Sequence, residues 1–238
     1  MLMPRLAALA LLFAATIAPA QKPEIAPVCD EPAPDGRLLG HFPYVDADPQ
    51  DLAPAPRGFG IGQACLLHRV VLADLQALLT AAAREQFRLV AVSCHRSPAR
   101  QAAVFHVGGR RGACVRAASR ARFVGPPGYS EHATGYAIDL AARPSQRCRD
   151  LEPCFAATSA GTWLRANAPR YGFELSFPDG NAQGVAYEPW HWRWVGTRDD
   201  EAGAALARLI FVRARAQFPA SPAVPELPAA DQDAGGQH

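Results

Sequence analysis

His132, Asp139 and His191, with Glu188 three residues before the last, are residue types that can bind a metal ion and move a proton. Two imidazoles and one carboxylate hold zinc with a fourth position left open, and a second carboxylate nearby can take the proton from an attacking water. The four residues lie in two short stretches, Ser130-Glu131-His132-Ala133-Thr134-Gly135-Tyr136-Ala137-Ile138-Asp139 and Glu188-Pro189-Trp190-His191. The chain therefore reads as a zinc hydrolase with one ion per chain.

The elements around these residues must bring them together. In Trp190-His191-Trp192-Arg193-Trp194-Val195, strand alternation puts the three Trp on one face and His191, Arg193 and Val195 on the other. The Trp face wants a core, so His191 points away from it. Pro189 breaks the strand entry, and a turn there brings Glu188 round beside His191. In 135–141, Tyr136, Ile138 and Leu140 share one face, and Asp139 lies on the other among Gly135, Ala137 and Ala141. A carboxylate flanked by the smallest residues suits a crowded site floor. Gly135 lets the chain bend between His132 and Asp139. A cation is still wanted, for an oxyanion or a substrate carboxylate, and Arg96 is the candidate because it immediately precedes a helix start at Ser97-Pro98. Gln101 lies on the first turns of that helix. The remaining histidines, His41, His68, His95, His106 and His238, carry no role on sequence grounds.

Apolar positions 71, 75, 78 and 79 predict a helix over 70–86, and a β-branched run predicts a strand over 87–94. Further helices are expected from Ser97 to about residue 107, stopped by Gly108-Gly109, over 156–171 and over 199–216. Strands are expected over 173–177 and 187–195, and a loop over 112–127. Short strands alternating irregularly with helices indicate an α+β fold.

Residues 1–20 have the pattern of a signal peptide: Arg5, an apolar run over 6–17 too short to span a bilayer comfortably, and a small-x-small site at Ala18-Pro19-Ala20. No later segment is long and apolar enough to cross a membrane. An exported chain, periplasmic or extracellular, is expected. The formal charge of +2 falls to +1 without Arg5, which gives no case for nucleic acid. The six cysteines of an exported chain are expected as disulfides. Proximity in sequence pairs Cys29–Cys65, Cys94–Cys114 and Cys148–Cys154. Residues 21–56 read as an extended N-terminal arm and 218–238 as a disordered tail.

The first stretch resembles the Ser-x-His-x-x-Gly-x-Ala-x-Asp signature of the VanY-type D-alanyl-D-alanine carboxypeptidases, and the second resembles that family's Glu-x-x-His element. Ser93-Cys94-His95-Arg96-Ser97 followed by Gln101 is similar to its Arg-Ser-x-x-x-Gln segment, although His95 stands where the family commonly has Tyr. Trp163-Leu164 through Tyr171-Gly172-Phe173 is similar to its intervening helix and strand. The resemblance spans about residues 75–196. It implies a small central antiparallel sheet flanked by helices, of the hedgehog/D-Ala-D-Ala-peptidase type, with a zinc peptidase domain over 57–217. It implies His132, Asp139 and His191 as zinc ligands, Glu188 as general base and Arg96 as the substrate or transition-state cation. It also implies Ser130 as a substrate contact beside Gln101. The implied substrate is a peptidoglycan stem peptide ending in D-Ala-D-Ala, from which the terminal D-alanine is removed. Two other readings stay open: an endopeptidase of the same fold, and a wall-binding module that keeps zinc without catalysis.

Overall fold

The computed structural model describes residues 31–62, 64–106, 113–198 and 200–225. The expected signal peptide, Cys29, Gly108-Gly109 and residues 226–238 lie outside the described residues. The chain enters through β1 (Leu52–Pro54), paired antiparallel with β2 (Leu66–His68). A single 3-10 turn leads into α1 (Leu72–Arg84), where Val71, Leu75, Leu78 and Ala82 recur at helical spacing and are fully buried. β3 (Arg88–Ser93) follows. Ser97 then caps α2 (Pro98–Phe105) by accepting from the Arg100 N–H at 3.3 Å, with Pro98 in the first turn as expected.

The central sheet adds β4 (Ala137–Arg143), β5 (Phe173–Leu175) and β6 (His191–Trp194) to β3. Its spatial order is β3-β4-β6-β5 with every pair antiparallel. Helices flank this sheet, so the fold is the expected α+β architecture. One sheet face carries Tyr136, Ile138, Leu140, Trp190, Trp192 and Trp194 into the main core beside α1, Phe173 and Phe211. The parity expected for β4 and β6 is therefore the observed one.

Several elements depart from the sequence expectation. The segment expected as a loop over 112–127 contains α3 (Ala113–Ala121). It is alanine-rich, hence strongly helix-forming, but has no large apolar residues to mark a stripe. The helix expected over 156–171 is α4 (Ser159–Asn167) between 3-10 turns. The closing helix is two pieces, α5 (Ala204–Ile210) and α6 (Val212–Gln217), separated where Phe211 turns inward against Tyr44 and Tyr136. Residues 218–225, expected as unpacked tail, lie against β5. The Leu175 N–H donates to Pro222 O and the Ser221 N–H to Leu175 O, and Val224 is buried. Of the expected disulfides, Cys148–Cys154 is present, and Cys65–Cys94 replaces both others. Packing of the ribbon against the end of β3 overrides proximity in sequence. Part of the arm is anchored, with Leu38, His41 and Phe42 buried.

Candidate metal centre

The β4–β6 register sets Asp139 directly opposite His191. Opposed residues of antiparallel strands share a face with Cβ atoms about 5 Å apart. The sheet alone thus brings the two side chains together. His132 arrives from a 3-10 turn, Glu131–Thr134, and Gly135 ends that turn at φ 73°. A Cβ on Gly135 would come within 2.8 Å of Leu52 Cδ2 and 3.1 Å of the His68 N, so both the conformation and the space demand glycine.

His132 Nε2 lies 3.1 Å from Asp139 Oδ2, and His191 Nδ1 lies 3.0 Å from Asp139 Oδ1. One ligand atom from each residue can be chosen so that all lie within 4.8 Å of one another. The remaining ring nitrogens fix the tautomers. His132 Nδ1–H donates to Cys94 O at 2.9 Å, leaving Nε2 as a lone pair. His191 Nε2–H donates to Glu131 Oε2 at 3.0 Å, which leaves Nδ1 facing Asp139. Two lone pairs and a carboxylate converging in a buried space repel one another unless a cation stands between them. The donor set, two neutral imidazoles and a carboxylate, suits zinc. Burial holds the His132 pKa down, assisted by the Arg96 charge, against the pull of Asp139. For His191 burial acts the same way, but hydrogen bonds to Asp139 and Glu131 outweigh it and push its pKa up to about 10.

Glu188 stands on a turn, as the sequence suggested, with the His191 N–H donating to Glu188 O at 3.0 Å. Its Oε2 is 3.9 Å from His191 Nδ1. Burial, then the charges of Asp139 and Glu131, raise its carboxyl pKa to about 8, against the opposing pull of His191 and Arg96. A carboxyl tuned towards neutrality can both accept and return a proton near pH 7.

These groups line a cleft of about 330 Å³ that also contains Arg96, Ser130, His41, Arg120, Phe177 and Trp190. Arg96 is held by its N–H to His132 O at 3.1 Å and by its Nε to Gln101 Oε1 at 2.5 Å. Gln101, expected as a substrate contact, has a different placement. It is 1% exposed, does not line the cleft, and spans from Arg96 to Gly125 O through its Nε2. It holds Arg96 and ties α2 to the segment after α3. His95, at the departure from the family's Tyr, pairs with Asp46 of the arm at 2.9 Å.

Sequence reasoning passed over Glu131. This buried carboxylate accepts from His191 Nε2, from Ser176 Oγ at 2.6 Å, from Arg193 NH1 at 2.8 Å and from Tyr44 OH at 3.3 Å. Burial would raise its pKa, but the Arg193 charge and the bonds from His191 and Ser176 outweigh that and hold it far below the ordinary carboxylate range. A carboxylate on the far nitrogen of a metal-facing imidazole fixes the ring and strengthens its basicity. The available signal was Arg193, an arginine on the buried strand face beside His191, which demands a carboxylate partner.

The sequence profile of the VanY family, D-alanyl-D-alanine carboxypeptidase, matches residues 64–197, more than half of the chain. The chain belongs to the VanY family. That match takes in both metal-facing stretches and leaves the arm and the final segment outside. Among similar proteins, the putative carboxypeptidase YodJ of Bacillus subtilis (strain 168) is 35% identical over 128 residues, 52% of this chain and 44% of that protein. A D-alanyl-D-alanine carboxypeptidase of Enterococcus faecium is 37% identical over 78 residues, 32% of this chain and 23% of that protein. The chain thus spans less than half the length of these relatives. Among solved structures, the LdcB LD-carboxypeptidase, described for its peptidoglycan recognition, superposes with a TM-score of 0.56 at 26% identity, covering 76% of this chain and 81% of that one. Among the described residues no helix is long and apolar enough to cross a membrane.

Proposed function

We propose that this VanY-family protein is a zinc-dependent D,D-carboxypeptidase, exported to the periplasm or cell exterior, that removes the terminal D-alanine from peptidoglycan stem peptides. The observation that carries this reading is the convergence of His132, Asp139 and His191 within 4.8 Å, with the Glu188 carboxylate 3.9 Å from the last of them. His132, Asp139 and His191 would hold one zinc ion. Bound there, zinc would supply Lewis-acid polarisation of the scissile carbonyl and acidification of the attacking water.

The other steps belong to the chain. Glu188 accepts the proton as the water oxygen bonds to the carbonyl carbon. It then returns that proton to the amide nitrogen as the C–N bond breaks and D-alanine leaves. Arg96, fixed by Gln101, faces the negative charge that develops on the carbonyl oxygen. Ser130 Oγ, on the cleft wall, offers a hydrogen bond to the peptide. The likeness to the LdcB LD-carboxypeptidase favours a second reading, removal of D-alanine after an L-centre in a tetrapeptide.

The test is to incubate the purified protein with a stem pentapeptide ending in D-Ala-D-Ala, a tetrapeptide ending in a single D-Ala and a cross-linked dimer. Products are followed by mass spectrometry with and without chelator. Chelator-sensitive loss of one D-Ala from the pentapeptide alone is expected. Cleavage of the tetrapeptide alone would select the L,D reading, and cleavage only of the cross-link would select an endopeptidase. Inertness of folded, zinc-loaded protein towards all three would leave a binding role.

A further inference from the structure

The cleft carries a second guanidinium that the mechanism above does not use. Arg120, on α3, lines the same cleft as Arg96, Ser130 and Glu188. Its NH2 donates to Val104 O at 2.9 Å, which ties α3 to α2. Its Nε is buried and has no hydrogen-bond partner, and no carboxylate pairs with it among the described residues. Arginines that serve only structure are normally paired, because an unsatisfied buried donor carries a desolvation penalty. Arg193 also has one buried guanidinium nitrogen without a partner, but unlike Arg120 it pairs with two carboxylates, Glu131 and Glu174, each at 2.8 Å.

The proposed mechanism gives Arg96 to the carbonyl oxygen: Gln101 holds it beside the metal-facing groups, where its charge acts on Asp139 and Glu188. A peptide whose scissile carbonyl meets Arg96 still has a carboxylate to be recognised, and Arg120 is the other guanidinium lining the cleft. The charge balance agrees. Two guanidiniums, Arg96 and Arg120, stand against Asp139 and Glu188, while Glu131 is matched by Arg193. A divalent cation held by His132, Asp139 and His191 would make the cleft net positive, which suits an anionic substrate.

We propose that Arg120 is the carboxylate-recognising residue of this cleft, a specificity determinant separate from Arg96. The inference rests on the carboxypeptidase reading. Two carboxylates of a stem peptide share the required chemistry: the C-terminal one, adjacent to the scissile bond, and an acidic side chain further up the stem. A planar guanidinium recognises either one through charge-assisted hydrogen bonds.

The experiment measures kcat/KM for wild type, Arg120→Gln and Arg120→Lys. Three peptides are compared: the free acid, the C-terminal carboxamide, and a free acid with its side-chain carboxylate amidated. Zinc content is measured alongside. Wild type should prefer the free acid. Arg120→Gln should lose about 10- to 100-fold on it and less than about threefold on the amide of the carboxylate that Arg120 reads, so the preference collapses. Arg120→Lys should retain part of the preference. Collapse at the C-terminal amide assigns the terminal carboxylate, and collapse at the side-chain amide assigns the other. Equal losses on all three peptides would mean that Arg120 only braces α3 against α2, and unchanged kinetics would remove it from recognition; either overturns the proposal. A wild type inactive on every peptide would instead sink the carboxypeptidase reading itself.

Discussion

The floor of the cleft and its outer wall are held together in different ways. The floor is the β4–β6 pair and the Glu131–Thr134 turn, continuous with the main core. There each metal-facing histidine is gripped from behind, His132 by a backbone carbonyl and His191 by a carboxylate that is itself paired with a buried arginine. The wall is α2, α3 and the arm around His41. Its apolar cluster is small and separate: Phe105, Ala117 and Ala121, with Leu39 and Val124 packed against it. Three polar pins join its parts among the described residues: His41 to Ala121 O at 2.7 Å, Gln101 to Gly125 O at 2.5 Å and Arg120 to Val104 O at 2.9 Å. A floor fixed by register and buried ion pairs sets reactive geometry to fractions of an ångström. A wall joined by a few pins can vary in shape without disturbing that geometry. On the proposed function chemistry belongs to the first and selectivity to the second, so floor substitutions should act almost all-or-none and wall substitutions in grades.

The largest expected effect is at Glu188, the proton carrier proposed for the floor. Glu188→Gln keeps shape and volume, since the residue is buried and its backbone bonds to Phe177 and His191 do not involve the carboxylate. Turnover should fall by about 10²- to 10⁴-fold with zinc stoichiometry unchanged. Near-normal turnover from that variant would falsify the base assignment and move the proton to another group.

Glu131 comes next. Glu131→Ala removes the grip on His191 and leaves Arg193 with Glu174 as its remaining carboxylate partner. Zinc affinity should drop by about 10- to 100-fold. Breaking the buried pair should also cost about 3–5 kcal/mol of folding stability. Glu131→Gln separates the two effects. Its amide oxygen can still accept from His191, so zinc affinity should recover in part while the stability loss persists. Competitive zinc titration and urea melts would read both. Zinc affinity unchanged in Glu131→Ala would show that the strand register alone orients His191.

How much of this was legible in the sequence follows the same division. Asp139 and His191 could be put on matching faces because strand alternation is a local property. Trp190, Trp192 and Trp194 declared which face was the core. The Glu188 turn could be read from Pro189. What could not be read depends on which distant elements meet. Cys65 reaches Cys94 because the ribbon packs on the end of β3. Glu131 meets Arg193 across 62 positions. Among its described side chains α3 buries Ala117 and Ala121, too small to announce an apolar stripe. Val224 enters the core although the chain around it is Pro- and Ala-rich.

Where floor meets wall, a smaller effect is expected. Gln101 links Arg96 to Gly125 and touches no metal-facing group among its hydrogen-bond partners. Gln101→Ala should lower kcat by about tenfold, because a poorly held guanidinium loses part of its transition-state contact. Zinc affinity should not move. A rise in KM alone, at constant kcat, would mean that the glutamine shapes the wall and leaves Arg96 in place.

The smallest effect probes whether the arm belongs to the floor at all. Tyr44 is the arm's one hydroxyl contact with Glu131, at 3.3 Å, the longest of the four bonds that carboxylate receives. Its ring packs on Phe211, so Tyr44→Phe keeps the apolar contact and removes only the donor. A single long hydrogen bond to a carboxylate already satisfied three times over contributes about 1 kcal/mol at most. Zinc affinity and turnover should therefore fall by no more than about threefold. A loss approaching that of Glu131→Gln would show that the metal-facing histidine depends on the arm. The boundary between a rigid floor and an adjustable surround would then have to be redrawn to include residues 41–47, which lie outside the family match.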